Sequence, residues 1–169
     1  MNVAILGATG AVGREMMKIL AERSFPVEEL RLLASPRSAG QKLLWQGREL
    51  TVQPAEDSAF EGMDVVLGAA ENDIAKRFAP AIVKAGAVFV DNSSAFRMDP
   101  NVPLVIPEIN PEDVRRHKGI IANPNCTTIQ MVVALKAIEQ LSHIKTVHVS
   151  TYQAASGAGA AAMDELYEQ

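Results

Sequence analysis

A continuous apolar run, Asn2-Val3-Ala4-Ile5-Leu6, passes directly into Gly7-Ala8-Thr9-Gly10-Ala11-Val12-Gly13, and a helical pattern follows from Ala11 to Ala21. The unbroken run predicts a strand of a parallel sheet, buried on both faces. A strand, a glycine turn and a helix N-terminus in that order form an anion cradle, because the first amides of a helix have no internal acceptor and the dipole favours negative charge. Gly7 is read as permitting the tight turn, Gly10 as letting backbone approach a pyrophosphate, and Gly13 as allowing close helix-strand packing. The cradle is assigned to Gly7, Thr9, Gly10, Ala11, Val12 and Gly13. Its spacing is G-x-x-G-x-x-G, not G-x-G-x-x-G, so the motif draws its force from the flanking strand and helix.

The rest of the chain repeats the strand-helix alternation. Strands are predicted over Glu29 to Ala34, Asp64 to Ala69, Ala87 to Val90 and Gly119 to Ala122, with a hairpin of Leu43 to Trp45 and Glu49 to Val52 as a side excursion. Helices are predicted from Asp73 to Ala85, capped by Asn72 and ended by Gly86, and over a short polar segment from Asn110 to Lys118. This is the pattern of an α/β fold with a doubly wound parallel sheet of Rossmann-like type, whose ligand lies at the carboxyl ends of the strands. The glycine turn, Arg37, the segment Asn92 to Arg97 and Cys126 all fall at such ends or just beyond them.

The end of the second strand bears on the choice of dinucleotide. An NAD site usually places Asp or Glu there for the ribose 2'-hydroxyl. Here Ser35-Pro36-Arg37-Ser38 offers a guanidinium and hydroxyls instead, which suit a 2'-phosphate through charge-assisted hydrogen bonds. Arg37 and Ser38 therefore argue for NADP, although the same four residues also make an ordinary solvated turn.

Cys126 is the single cysteine, set in Asn123-Pro124-Asn125-Cys126-Thr127-Thr128 where a loop enters an apolar helix. A helix N-terminus stabilises a thiolate, the form of cysteine that acts as nucleophile. Asn125 is a good N-cap, and Pro124 keeps the helix from starting earlier. The alternative is a small buried hydrophobe. The helix that follows carries Ile129, Met131, Val132, Val133, Leu135, Ile138 and Leu141 around most of its circumference, so it is expected to be buried on several sides.

With 169 residues, 48% of them hydrophobic, one substantial core is within reach. A net charge of -4 without a Lys/Arg cluster speaks against nucleic acid as partner. No apolar stretch reaches the ~20 residues of a membrane span. A strand beginning at Asn2 leaves no signal peptide, so a cytoplasmic protein is expected. One cysteine excludes an intrachain disulfide, and no metal site is assigned. Lys145 to Ala155 reads as a long alternating strand outside the first sheet's rhythm, and Ser156-Gly157-Ala158-Gly159 as the opening of a small-residue helix. Such a strand and helix cannot make an independent core. Either other chains cover this segment, or the chain is the front part of a longer protein.

Gly7 to Gly13, Ser35 to Ser38, Asp91-Asn92-Ser93-Ser94-Ala95-Phe96-Arg97-Met98, Asn123 to Thr128 and Thr151-Tyr152-Gln153-Ala154-Ala155-Ser156-Gly157-Ala158-Gly159 together resemble the amino-terminal half of aspartate-semialdehyde dehydrogenases of the bacterial type. The N-acyl-glutamyl-phosphate reductases share the chemistry, but typically have Gly before the cysteine and an aromatic after it, unlike Asn125-Cys126-Thr127.

The resemblance implies NADP-dependent interconversion of aspartyl phosphate and aspartate semialdehyde through a Cys126 thioester, in the biosynthesis of lysine, diaminopimelate, threonine and methionine. It makes Cys126 and Asn125 catalytic, the latter also as a possible oxyanion contact. It gives Arg97 to phosphate or the substrate's acidic group, Gln153 to substrate orientation, and Ser156 and Gly157 to the nicotinamide side of the cofactor. It also implies an NADP-binding domain over residues 1–125, the start of an incomplete α+β catalytic and dimerisation domain over residues 126–169, and a homodimer at full length. Gly68-Ala69-Ala70-Glu71-Asn72 departs from the family's Ser-x-Gly-Gly. The family's general-base histidine and a second substrate arginine lie beyond these residues, and His117, His143 and His148 do not match that histidine. The competing expectation is an NADP-binding fragment with no turnover of its own.

Overall fold

The computed structural model describes residues 1–169, except the side chains of residues 158, 160 and 161. In chain order the elements are β1 (Asn2–Leu6), α1 (Ala11–Glu22), β2 (Glu29–Ala34), β3 (Lys42–Trp45), β4 (Arg48–Thr51), β5 (Gln53–Pro54), β6 (Val65–Gly68), α2 (Asn72–Lys84), β7 (Val88–Asp91), β8 (Ile120–Ala122), α3 (Cys126–Glu139) and α4 (Ala160–Glu168). Six strands form one parallel sheet in the order β5-β2-β1-β6-β7-β8, while β3 and β4 pair as a separate antiparallel hairpin. In β1, Ile5 sits between Leu32 of β2 and Leu67 of β6.

Alternation along β1 distributes the core. Val3 and Ile5 join Leu30, Leu32, Val52 and Met17 of α1 on one face. Ala4 and Leu6 join Val66, Phe89 and, from α2, Phe78 and Ile82 on the other. A sheet covered on both faces explains why β1 reads as an unbroken apolar run. The chain leaves β1 toward β2 on one side and returns past it to β6 on the other, so the strand order reverses between β1 and β6. That reversal opens a crevice at the carboxyl ends of the strands.

Four expectations are corrected. α2 starts at Asn72, with Glu71 in the N-cap place. The Asn72 side chain is drawn instead to Ser94, whose N–H donates to Asn72 Oδ1 at 2.9 Å. The predicted strand from Lys145 to Ala155 does not form: no regular element lies between α3 and a 3-10 turn at Ala155–Ala158, and α4 starts at Ala160, not Ser156. Strands exist by hydrogen bonding to a neighbour, and the described residues provide none beside this segment, leaving Val149 60% and Tyr152 97% exposed. Likewise α3 buries no residue, with Ile138 52% exposed and Leu141, just beyond the helix, 91% exposed. Its circumference is apolar as expected, but the described residues lay no second layer against it.

Candidate active site

The glycine turn is anchored across the sheet. Gly7 has φ +91°, and its N–H and that of Ala8 donate to Leu33 O at 2.8 and 3.1 Å. A Cβ on Gly7 would stand 2.5 Å from Ala69 O, and one on Gly13 would stand 2.7 Å from Ala8 Cα, so backbone packing itself demands glycine at both positions. Gly10 differs, because its Cβ would meet nothing nearer than Gly7 O at 3.5 Å. The outer side of the turn is open there. Gly10 occupies the N-cap place of α1 without a side-chain cap, and the amides of Ala11, Val12 and Gly13 open the first turn, where no intrahelical acceptor exists. Gly10, Ala11 and Val12 are exposed, while Gly13 is buried against the turn. Thr9 is half-buried, and its carbonyl accepts from Arg14 Nε at 3.1 Å.

Beyond β2, Pro36–Ser38 forms a 3-10 turn closed by Ser38 N–H to Ser35 O at 2.9 Å. Arg37 is exposed on it and has no ion pair or side-chain hydrogen bond among the described residues. Between this turn and Gly7 lies a cleft of about 230 Å³, whose walls include Leu6, Ala34, Ser35, Ile74 and Phe78. Apolar walls beside an anion cradle fit a flat heteroaromatic ring. Sequence reasoning missed Ile74 and Phe78, since their helical spacing is also that of ordinary core residues. A wider groove between Asp57 and Lys84 lies away from the glycine turn and the cysteine.

Cys126 opens α3 and is exposed. Asn125 caps the helix as expected, its Oδ1 accepting from Thr127 N–H at 3.0 Å and Thr128 N–H at 3.3 Å. Thr127 Oγ1 lies 4.0 Å from the sulfur. Arg97 is half-buried and held by two backbone carbonyls, donating through Nε to Asn123 O at 2.8 Å and through Nη2 to Asn92 O at 2.9 Å. The arginine thus joins the end of β7 to the cysteine loop. Asp91 at that strand end is fully buried and accepts from Ser93 Oγ at 2.6 Å and Ser93 N–H at 3.1 Å, fixing the turn that delivers Arg97. The pairing of Asn92 with Asn123 was not foreseen either, because nothing in the sequence tells which strand ends become neighbours.

Gln153, Ser156 and Gly157 lie on the exposed tail. The Gln153 carboxamide carbon packs 2.8 Å from where a Cβ of Gly157 would sit, so these two residues meet each other. None of the three hydrogen-bonds to the sheet or to the cysteine loop among the described residues. Of the histidines, His117 Nδ1 accepts from Gly119 N–H at 3.0 Å, His143 Nδ1 lies 2.7 Å from Glu139, and His148 is exposed in the irregular segment. No cluster of three or more potential metal ligands occurs among the described residues, and no helix there is long and apolar enough to cross a membrane.

A parallel doubly wound sheet with a glycine cradle beside its switch point defines a Rossmann-like NAD(P)-binding domain. Residues 2–117 match the model of the semialdehyde dehydrogenase NAD binding domain, and residues 135–169 match that of the semialdehyde dehydrogenase dimerisation domain. The chain belongs to the semialdehyde dehydrogenase family. It is 61% identical to an aspartate-semialdehyde dehydrogenase of Synechocystis sp. over 99% of its own length and 50% of that relative's. Its fold superposes with TM-score 0.93 and 48% identity on aspartate semialdehyde dehydrogenase II of Vibrio cholerae complexed with ASA, covering 99% of this chain and 51% of the other. An aspartate semialdehyde dehydrogenase with NADP from Candida albicans matches at TM-score 0.67 and 28% identity over 85% of this chain and 48% of its own. The chain spans about half the length of the curated relatives it matches.

Proposed function

We propose that this chain supplies the cofactor-binding and nucleophile-bearing part of an aspartate-semialdehyde dehydrogenase, which converts aspartyl phosphate to aspartate semialdehyde, and the reverse, through a Cys126 thioester. The observation that carries the reading is the Asn125-capped Cys126, which follows β8 at the carboxyl ends of the strands, the same side of the sheet on which the glycine cradle follows β1. The first-turn amides of α1 would hold the pyrophosphate, Arg37 and Ser38 the 2'-phosphate of NADP, and the cleft beside Ile74 and Phe78 the adenine. NADPH, when bound, supplies the hydride that reduces the thioester.

Cys126 thiolate attacks the acyl carbon of aspartyl phosphate, a carbon–sulfur bond forms as the carbon–oxygen bond to phosphate breaks, and phosphate departs. The cap holds Thr127 and Thr128 N–H on Asn125 Oδ1, which leaves the Asn125 Nδ2–H group available to the developing oxyanion. Arg97, oriented by two carbonyls, keeps other N–H groups for the phosphate or carboxylate. Gln153, Ser156 and Gly157 would reach substrate and nicotinamide once the tail is packed. We divide the domains at 125/126. The activity is placed in the cytoplasm, in the biosynthesis of lysine, diaminopimelate, threonine and methionine, by a homodimer at full length.

A second reading rests on the exposed α3 and the half-length match: the chain binds NADP but has no turnover of its own. A phosphate-dependent assay of NADPH formation from aspartate semialdehyde, run on this chain with the carboxyl-terminal half of a full-length relative added as a separate polypeptide, alongside calorimetric titration of NADP, separates the two. Turnover on addition of that half selects the first, cofactor binding with no turnover even then selects the second, and neither binding nor turnover removes both.

A further inference from the structure

The carboxyl ends of three adjacent strands are tied together by side-chain amides. Asn123, just after β8, donates through Nδ2 to Oδ1 of Asn92, just after β7. Asn92 Nδ2 in turn donates to the carbonyl of Gly68, the last residue of β6, at 3.1 Å. The backbone repeats the connection, with Asn123 N–H on Asp91 O at 2.9 Å and Asn92 N–H on Gly68 O at 3.2 Å. The two carbonyls that orient Arg97 belong to these same two asparagines. Of the five N–H bonds of a guanidinium, two are spent on Asn92 O and Asn123 O, and the fork cannot turn without releasing one of them. Asn123 also stands three residues before the nucleophile, so the relay anchors the start of the loop that leads to Cys126.

We propose that Asn92 and Asn123 are positioning residues, an amide relay that sets Arg97 as a preorganised receptor for an anionic group at the Cys126 thiol. The inference rests on the reading of Cys126 and Arg97 given above and assigns the pair that aligns them. An arginine held by only one flexible contact would spend rotamer freedom at each encounter with substrate. Here the half-buried setting and the two carbonyls remove that cost beforehand. The relay's end at Gly68 ties the alignment to the strand beside the cofactor cradle.

The test compares alkylation of Cys126 in the 169-residue chain by iodoacetate, an anion, and by iodoacetamide, its neutral counterpart, each normalised to free cysteine at low ionic strength. A cation held near the thiol raises the iodoacetate-to-iodoacetamide ratio by about three- to tenfold, and inorganic phosphate should compete this preference away. Arg97→Met should return the ratio to that of free cysteine. Asn92→Ala and Asn123→Ala should each lower it most of the way, and the double substitution no further than either alone, as for residues acting as one unit. Asn123→Leu keeps the side-chain volume without the donor and serves if the alanine variant melts early. Absence of any preference in the unsubstituted chain, or its persistence in Arg97→Met, overturns the placing of Arg97 at an anion site by Cys126. A preference that depends on Arg97 but survives Asn92→Ala and Asn123→Leu overturns the relay alone.

Discussion

Asn125 Oδ1 accepts the backbone N–H of Thr127 at 3.0 Å, so the residue before the nucleophile also starts the helix that carries it. Replacing Asn125 by Ala should cost about 1 kcal/mol of helix stability, while Asn125→Ser should retain most of it. Hydrogen exchange at the Thr127 and Thr128 amides reads the cap directly. Unchanged exchange in Asn125→Ala would mean that the cap does not hold the first turn of α3.

Cofactor choice should rest on Arg37, exposed on its 3-10 turn and without an ion pair or side-chain hydrogen bond among the described residues. Arg37→Ala is expected to weaken NADP binding by about tenfold or more, as for loss of a charge-assisted contact of about 1.5–3 kcal/mol, and to leave NAD nearly unaffected. Calorimetric titration of both dinucleotides decides it; equal affinities in the unsubstituted chain would remove the 2'-phosphate assignment.

The three cradle glycines should respond differently to the same methyl group. Gly13→Ala forces a Cβ to 2.7 Å from Ala8 Cα and should destabilise the domain by about 1–3 kcal/mol in urea unfolding. Gly7→Ala adds strain at φ +91° to a collision with Ala69 O and should do at least as much harm. Gly10→Ala meets no atom closer than 3.5 Å, so it should leave unfolding almost unchanged and weaken dinucleotide binding. Loss of stability at Gly10 with retained binding would contradict the open side of the turn.

How far the sequence could be read followed from where each element finds its partners. β1 to α1, the hairpin and the cap at Asn125 are settled by residues near one another in the chain, and these were legible. Asn72 was misread as a cap because its true partner, Ser94, is 22 residues away. The asparagine relay was invisible for the same reason, spanning 31 residues between Asn92 and Asn123. The alternation of Val147, Val149 and Thr151 does fit a strand, but a strand is a property of two chain segments, and the second is not beside it here.

The end of α3 should be sensitive to acid. Ile144 N–H, at 2.8 Å from Oε2, and His143, at 2.7 Å from Oε1, hold the Glu139 carboxyl below its ordinary 4.5, the backbone donor being the larger cause. A depressed folded-state value means that the unfolded chain takes up the proton first as pH falls. The contribution to stability is therefore complete above about 4.5 and is lost as pH drops through the lower folded-state value. The group is exposed and screened, so the effect should be local fraying and not global unfolding. In an NMR titration the Ile144 amide should shift with a midpoint below 4.5, and Glu139→Gln should abolish that shift while leaving the β1 amides unmoved. A midpoint at or above the ordinary carboxylate value would show that the carboxylate does not hold Ile144 N–H at the end of the helix.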